Sequence, residues 1–192
     1  MSERLSSTTY LVRRKVFTLA GAAFHFYDAE GRLVLYSKLK AFRLKEDIRL
    51  FTGEDMREEL LAIHARKVLD ISATYDVTDS QTGERVGAIQ RKGMRSLLRD
   101  EWVLRDGADQ EIGLVREDSM GLALLRRFLT NLVPQSFDIE VMGEKVATVR
   151  QDFNPFVLKL TVDFSRDPTG LLDRRLGLAA VLLLCAVEGR QG

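Results

Sequence analysis

Chemistry in this chain has few residues to work with. His25 and His64 are the only histidines. Neither has the closely spaced partner that a metal site or a nucleophilic triad needs, so each reads as a strand histidine satisfied by a neighbour. The glycine-rich patterns of nucleotide binding and the nucleophile elbow of hydrolases do not occur. Asp76, Asp79 and Glu84 surround the turn at Gly83, but their spacing is not that of a calcium loop, and turn chemistry accounts for them. Phe24, Phe26 and Tyr27 read as core and cross-strand packing. No catalytic set, metal site or cofactor site is therefore expected.

Basic clusters remain. Arg91, Lys92, Arg95 and Arg99 fall in and around a connection between two strands, where Gly93 and Met94 leave room for a ligand to approach. Guanidinium groups suit phosphate because the planar fork donates two hydrogen bonds at once. This set is the candidate site for an anion or head group. Arg13, Arg14 and Lys15 form a second set, and Lys38, Lys40, Arg43 and Lys45 a third. Strand alternation puts Arg13 and Arg14 on opposite faces, so those two cannot share one ligand.

The elements that must position these groups have two signatures. The first is a period of two from Tyr10 to about Asp163. Leu69, Ile71, Ala73, Tyr75 and Val77 alternate without a break with Asp70, Ser72, Thr74, Asp76 and Thr78, and Phe137–Val141 and Phe156–Asp163 repeat the pattern. Such runs are strands with one dry and one wet face, in antiparallel sheet. Asp- and Gly-containing turns at 28–31, 52–55, 79–83, 106–109 and 142–144 separate them. The runs predict about twelve strands, near 9–17, 22–28, 32–39, 44–52, 59–66, 69–78, 84–92, 97–105, 111–116, 136–142, 145–151 and 156–163. Residues 118–131 break the period: Leu122, Leu125 and Leu129 at helical spacing, beside Arg126 and Arg127, predict an amphipathic surface helix.

The second signature lies near the C-terminus. From Leu171 to Val187 the chain is apolar on every side, and after Arg175 no charge appears until Glu188. Asp167 and Pro168 offer a cap and a first helical position, and Gly189 a stop. A helix that is greasy all round must be enclosed. Its uncharged part runs only about 12 residues against the roughly 20 that span a bilayer, which favours a buried core helix. A barrel of about twelve strands is too wide to fill with its own side chains. A helix of about 18 residues, roughly 27 Å long, would plug it. The expected fold is mainly β: a closed antiparallel barrel of about twelve strands around a hydrophobic C-terminal helix. It forms a single domain over 9–189 after a polar lead-in at 1–8.

These residues resemble the LURP-one-related proteins of the tubby C-terminal-like superfamily, which also includes the phospholipid scramblases. The likeness is carried by Tyr10-Leu11-Val12 with Lys15-Val16-Phe17, by Phe24 through Gly31, and by Tyr75 through Asp79 with Gly83, Val86-Gly87, Ile89 and Arg91-Lys92. Trp102 and Ile112 through Glu117 extend it. The resemblance implies a closed barrel threaded by a hydrophobic helix. For the tubby branch it implies recognition of phosphoinositide head groups by basic side chains, and for the scramblase branch association with lipid and calcium. No stretch matches the tubby phosphoinositide motif residue by residue, and no proline- or cysteine-rich leader of the scramblase kind is present.

Composition sets the remaining bounds. The chain has 192 residues, 45% of them hydrophobic and 30% charged, as in an ordinary globular protein. Lys and Arg number 29 against 28 Asp and Glu, so no global field draws the chain to nucleic acid. Cys185, the one cysteine, sits in the apolar helix, so no internal disulfide can form. The N-terminal stretch lacks the apolar core of a secretory signal, and a cytoplasmic location is the expectation. The functional expectation is a non-enzymatic binding or scaffold module recognising an anionic lipid head group or a protein partner, with at most peripheral membrane contact. The alternative is a scramblase-like lipid protein that inserts its C-terminal helix.

Overall fold

The computed structural model describes residues 3–17, 21–39, 47–66, 73–92, 101–117, 135–152 and 157–187. After a short 3-10 turn (Glu3–Leu5) come twelve strands: β1 (Thr9–Phe17), β2 (Gly21–Tyr27), β3 (Leu33–Leu39), β4 (Asp47–Phe51), β5 (Glu59–Ala65) and β6 (Thr74–Asp79). The second half is β7 (Arg85–Arg91), β8 (Glu101–Asp106), β9 (Glu111–Glu117), β10 (Ser136–Val141), β11 (Glu144–Gln151) and β12 (Lys159–Asp163). Every strand pairs antiparallel with its neighbours in sequence, and β1 pairs with β12, so the sheet closes on itself. Each of the twelve expected runs overlaps one strand, the ends differing by up to a few residues. The expected surface helix at 118–131 lies outside the described residues.

The even alternation explains the closure. Tyr10 and Val12 on β1 face Val162 and Leu160 on β12, and Phe24 and Phe26 on β2 face Ser37 and Leu35 on β3; all are buried. A closed sheet has no free edge, which removes the main hazard of so many short strands. Its inner face needs something to pack on. That is α1 (Arg174–Val187), whose residues from Leu176 to Ala186 are all buried and belong to one apolar cluster with the inward strand residues. Eleven successive buried positions cover every face of a helix, so the barrel surrounds it.

The start of the helix differs from expectation. Asp167 does not cap it. Its carboxylate accepts from the backbone of Leu171 (2.7 Å) and Leu172 (3.1 Å), which ties up a loop between β12 and the helix. Asp173 is the cap: its Oδ1 accepts from Arg175 N at 2.8 Å, and its carbonyl takes the first helical bond, from Gly177 N. The reason is geometric. β12 ends on the barrel wall, and the chain must travel inward before a central helix can begin. The helix therefore has 14 residues, roughly 21 Å, not 18.

Gly177 lets this entrance close. A Cβ there would meet Phe164 Cε1 at 2.9 Å and Leu172 Cδ2 at 3.1 Å. Both side chains are buried, with Phe164 held between Tyr10 and Arg174. Alanine would gain about 1 kcal/mol of helix propensity. Crowding two fixed side chains costs about 1–3 kcal/mol and outweighs that gain. Gly177→Ala should therefore lower Tm by about 2–4 °C in thermal unfolding, with an unchanged or raised Tm refuting the close contact. A harsher test of the central helix is Leu182→Asp or Leu183→Asp, which buries an unpaired charge at a fully enclosed position. The cost is several kcal/mol on a total of roughly 5–15, so insoluble or unfolded protein is expected in expression and melting assays.

Candidate functional site

The barrel has two unlike rims. The lower rim is where the odd-numbered strands begin and where α1 enters; the upper rim is where they end. The turns of the lower rim and the loop into α1 (28–32, 52–58, 80–84, 107–110, 142–143 and 164–173) carry nine acidic side chains against three basic, a net of −6. With the whole chain at +1, the other residues carry +7. Among the described residues, those within two positions of a strand end at the upper rim include nine basic and six acidic side chains. Charge is thus unevenly placed: the lower-rim turns are strongly acidic, while the described upper strand ends carry a small basic excess, one member of which, Arg66, reaches Asp109 of a lower-rim turn.

Arg91 is the last residue of β7. Its register partner is Trp102, and the preceding inward pair is Ile89 with Leu104, so Arg91 shares the inner face. Its guanidinium carbon lies 5.8 Å from the centroid of the Trp102 ring, a cation–π contact, and the Tyr75 ring is tilted to that of Trp102 with centroids 6.3 Å apart. Lys92 turns the other way. Its backbone N–H donates to the Glu101 carbonyl at 3.0 Å, and its ammonium pairs with the Glu101 carboxylate. Glu101 in turn faces Arg116 at 3.6 Å, and Arg116 faces Glu140 at 3.7 Å. Adjacent in sequence, Arg91 and Lys92 belong to different sides of the wall. Arg95 and Arg99 lie outside the described residues.

The second basic set behaves the same way. Arg13 faces outward, its guanidinium over Tyr27 at 5.3 Å, whereas Arg14 pairs with Phe24 and faces inward. Arg14 on β1 and Arg91 on β7 therefore stand on opposite walls of the barrel, six strands apart in either direction. Glu117, opposite the inward Phe137, joins them on the inner face and is buried. The negative end of the α1 dipole points towards this rim and favours cations near it. Arg14 and Glu117 were missed as inward groups by composition-based reading. Counting by twos from Val12 and Val115 finds both. Of the third set, Lys38 is described and exposed on β3; Lys40, Arg43 and Lys45 are outside the described residues.

The two histidines are held on the outer wall. His25 Nε2 bonds Glu54 Oε1 at 2.9 Å, and its ring stacks on Tyr27 and meets Tyr36 edge-on. His64 Nδ1 lies 3.5 Å from Asp47 Oδ1. Phe24 and Phe26 fill the core, while Tyr27 faces outward beneath Arg13. Among the described residues no three His, Cys, Asp or Glu side chains come together so as to hold a metal ion. The acidic side chains near Gly83 are occupied. Asp79 Oδ1 accepts from Gln81 N and Thr82 N, its Oδ2 pairs with Arg175 at 2.9 Å, and Glu84 takes the same guanidinium nitrogen at 2.9 Å.

Asp76 belongs to a second closed network. Arg66 grips it with two bonds of 2.7 Å and grips Asp109 with bonds of 2.7 and 3.1 Å, and Arg85 bridges the same two carboxylates. No family model, curated protein or solved structure matches this chain. The function must be argued from the barrel itself. No described helix is long and apolar enough to cross a membrane.

These ion pairs give a pH dependence with a definite sign. For Asp76 and Asp79 burial raises the carboxyl pKa, but the bonds to arginine and to turn N–H groups outweigh it and the net shift is downward. Asp109 is held well below the usual carboxylate range by Arg66 and Arg85. Folded-state values below unfolded ones mean that stability is fully present above the unfolded value, about 3.9, and is lost as pH falls through the folded values. Tm should be flat from pH 7 down to about 5 and fall steadily below about 4. Asp109→Asn should lower Tm at pH 7 and blunt the acid loss; an acid limb as steep as that of the parent chain would contradict the assignment.

Proposed function

We propose that the chain is a non-enzymatic binding or scaffold module, a tubby-like barrel that recognises an anionic head group or protein partner at its upper rim. The uneven placement of charge between the two rims is the observation that carries this reading. An anion approaching the lower rim meets nine acidic side chains; at the other rim the balance is basic. Fields of this kind steer association and are screened over about 8 Å at physiological salt. The enclosed helix supports a binding role over a catalytic one, because it fills the lumen in which a barrel enzyme would hold its substrate. Kinship with the LURP-one-related and tubby-like proteins belongs to the same proposal, supported by the closed twelve-strand barrel around one apolar helix. So does a cytoplasmic location, where one thiol packed in a core needs no oxidising compartment.

Helix insertion in the scramblase manner would require α1 to leave the cluster in which Leu176 to Ala186 are packed. That transfer exposes the inner faces of the strands, and nothing in the barrel compensates it.

Flotation with neutral vesicles and with vesicles containing a phosphoinositide tests the proposal. Binding to the charged vesicles only is expected, weakening as salt rises, with Arg91→Gln and Lys38→Gln each reducing it several-fold and Arg57→Gln on the lower rim leaving it unchanged. Equal flotation with both vesicle types, or none with either, removes the lipid reading.

A further inference from the structure

Two methionines stand where the backbone does not favour them. Among the described residues, Met142 (φ 53°), Met56 (φ 52°) and Asp109 (φ 67°) are the non-glycine positions in the left-handed region. Met142 and Gly143 (φ 82°) link β10 to β11, and two successive positive φ values make this a type I′ turn. Such a turn favours Asn-Gly, because a short polar side chain tolerates the left-handed region and a long apolar one gains nothing there. Met56 closes a second turn, its N–H donating to the Gly53 carbonyl at 3.1 Å. Both side chains lie outside the core: Met142 is 77% exposed and Met56 42%. Met142 strains its turn, and core packing offers no reason for either residue.

The topology sets both on the lower rim, with a third exposed apolar residue between them. The β10–β11 turn lies beside the end of β12, since β11 pairs with β12. From that end the loop 164–173 crosses to the axis. Arg175, at the start of α1, then reaches Asp79 and Glu84 of the β6–β7 turn. That turn adjoins the β4–β5 turn of Met56, because β5 pairs with β6. Leu171, 41% exposed, stands on this crossing. Of the four large hydrophobic side chains exposed among the described residues, these three share the lower rim, and Val157 is at the other. Exposed carboxylates accompany them: Glu54, Asp55 and Glu58 beside Met56, and Glu144 after Met142.

We infer that the lower rim docks a cationic amphipathic segment of a partner protein. The segment's apolar side chains meet Met142, Leu171 and Met56, and its lysines or arginines meet the acidic turns. Charge decides between occupants: a net of −6 in these turns repels an anionic membrane, a nucleic acid and a second copy of the same rim alike. Methionine suits the role because an unbranched, polarisable side chain adapts to the surface it meets. Size fits as well. A ring of twelve strands about 4.8 Å apart and tilted by about 35–45° is roughly 22–26 Å across, the length of a helix of about 15–17 residues. The surface is separate from the upper rim and does not depend on what binds there.

Titration calorimetry on the full chain tests the surface with three peptides of about 16 residues. One carries leucine and lysine at amphipathic helical spacing, one is a scramble of the same composition, and one has glutamate in place of lysine. Saturable binding of the first alone is expected. Met142→Asn restores the favoured turn, so it should raise Tm by about 2–4 °C while weakening the peptide about fivefold or more. Met56→Asn should also weaken it, and Val157→Asn on the other rim should leave it unchanged. A damaged fold cannot give higher stability together with weaker binding. No saturable binding, equal affinity for the scramble, or full affinity in both methionine variants overturns the docking surface. A Met142→Asn chain no more stable than its parent overturns the claim that Met142 is kept at a cost to the turn. Preference for the glutamate peptide overturns the choice of partner.

Discussion

A helix without a polar face cannot be placed at a surface, and a ring of twelve strands cannot fill its own interior. Each constraint is met only by the other. Burial of Leu176 to Ala186 on every side supplies the apolar mass that the inner faces of the strands need, and closure of β1 on β12 removes the edges that so many short strands would otherwise expose. The helix and the barrel are therefore one folding unit. Neither half is a plausible stable intermediate, because each alone exposes a large continuous apolar surface. The pairing of β1 with β12 must close across nearly the whole chain, whereas the other eleven pairings join strands adjacent in sequence.

The axis that the helix defines has consequences for charge. At the lower end, turn chemistry needs Asp and Gly: Asp28, Asp79 and Asp106 accept backbone N–H groups within their own turns, and Gly31, Gly83 and Gly143 adopt positive φ. The acidity of that rim is in part a by-product of making tight turns. It does not by itself imply a function. Among the described residues of the upper rim, Lys92, Arg116 and Arg66 are tied to carboxylates of the wall, whereas Lys38 stands exposed on β3. Exposed cations without such a turn or wall role are what make the upper rim the better place to look for an anionic partner.

Much of the fold was legible because its signals are local and repeated. Period-two alternation marks a strand whatever surrounds it, and Tyr75, Val77 and Asp79 face inward as the alternation demands. The helix start was misplaced for an equally physical reason. Asp167-Pro168 satisfies every local rule for a cap, but whether a cap is used depends on where the chain stands in three dimensions, and at Asp167 it is still crossing from the wall to the axis. The candidate site was legible only in part. Composition shows that Arg91 and Lys92 are basic neighbours; only the register with Trp102 and Glu101 shows that one enters the barrel and the other leaves it.

Arg174 and Arg175 sharpen the same point. They are identical residues in consecutive positions of one helix turn, yet a rotation of about 100° separates their environments. Arg175 reaches the β6–β7 turn and locks the helix to the barrel wall through Asp79 and Glu84. Arg174 is turned onto Phe164 and keeps two buried donors unmatched. If both arginines served only to anchor the helix, a second set of carboxylates would be the cheaper arrangement, because a buried unpaired charge costs several kcal/mol. An aromatic face recovers only about 2 kcal/mol of that.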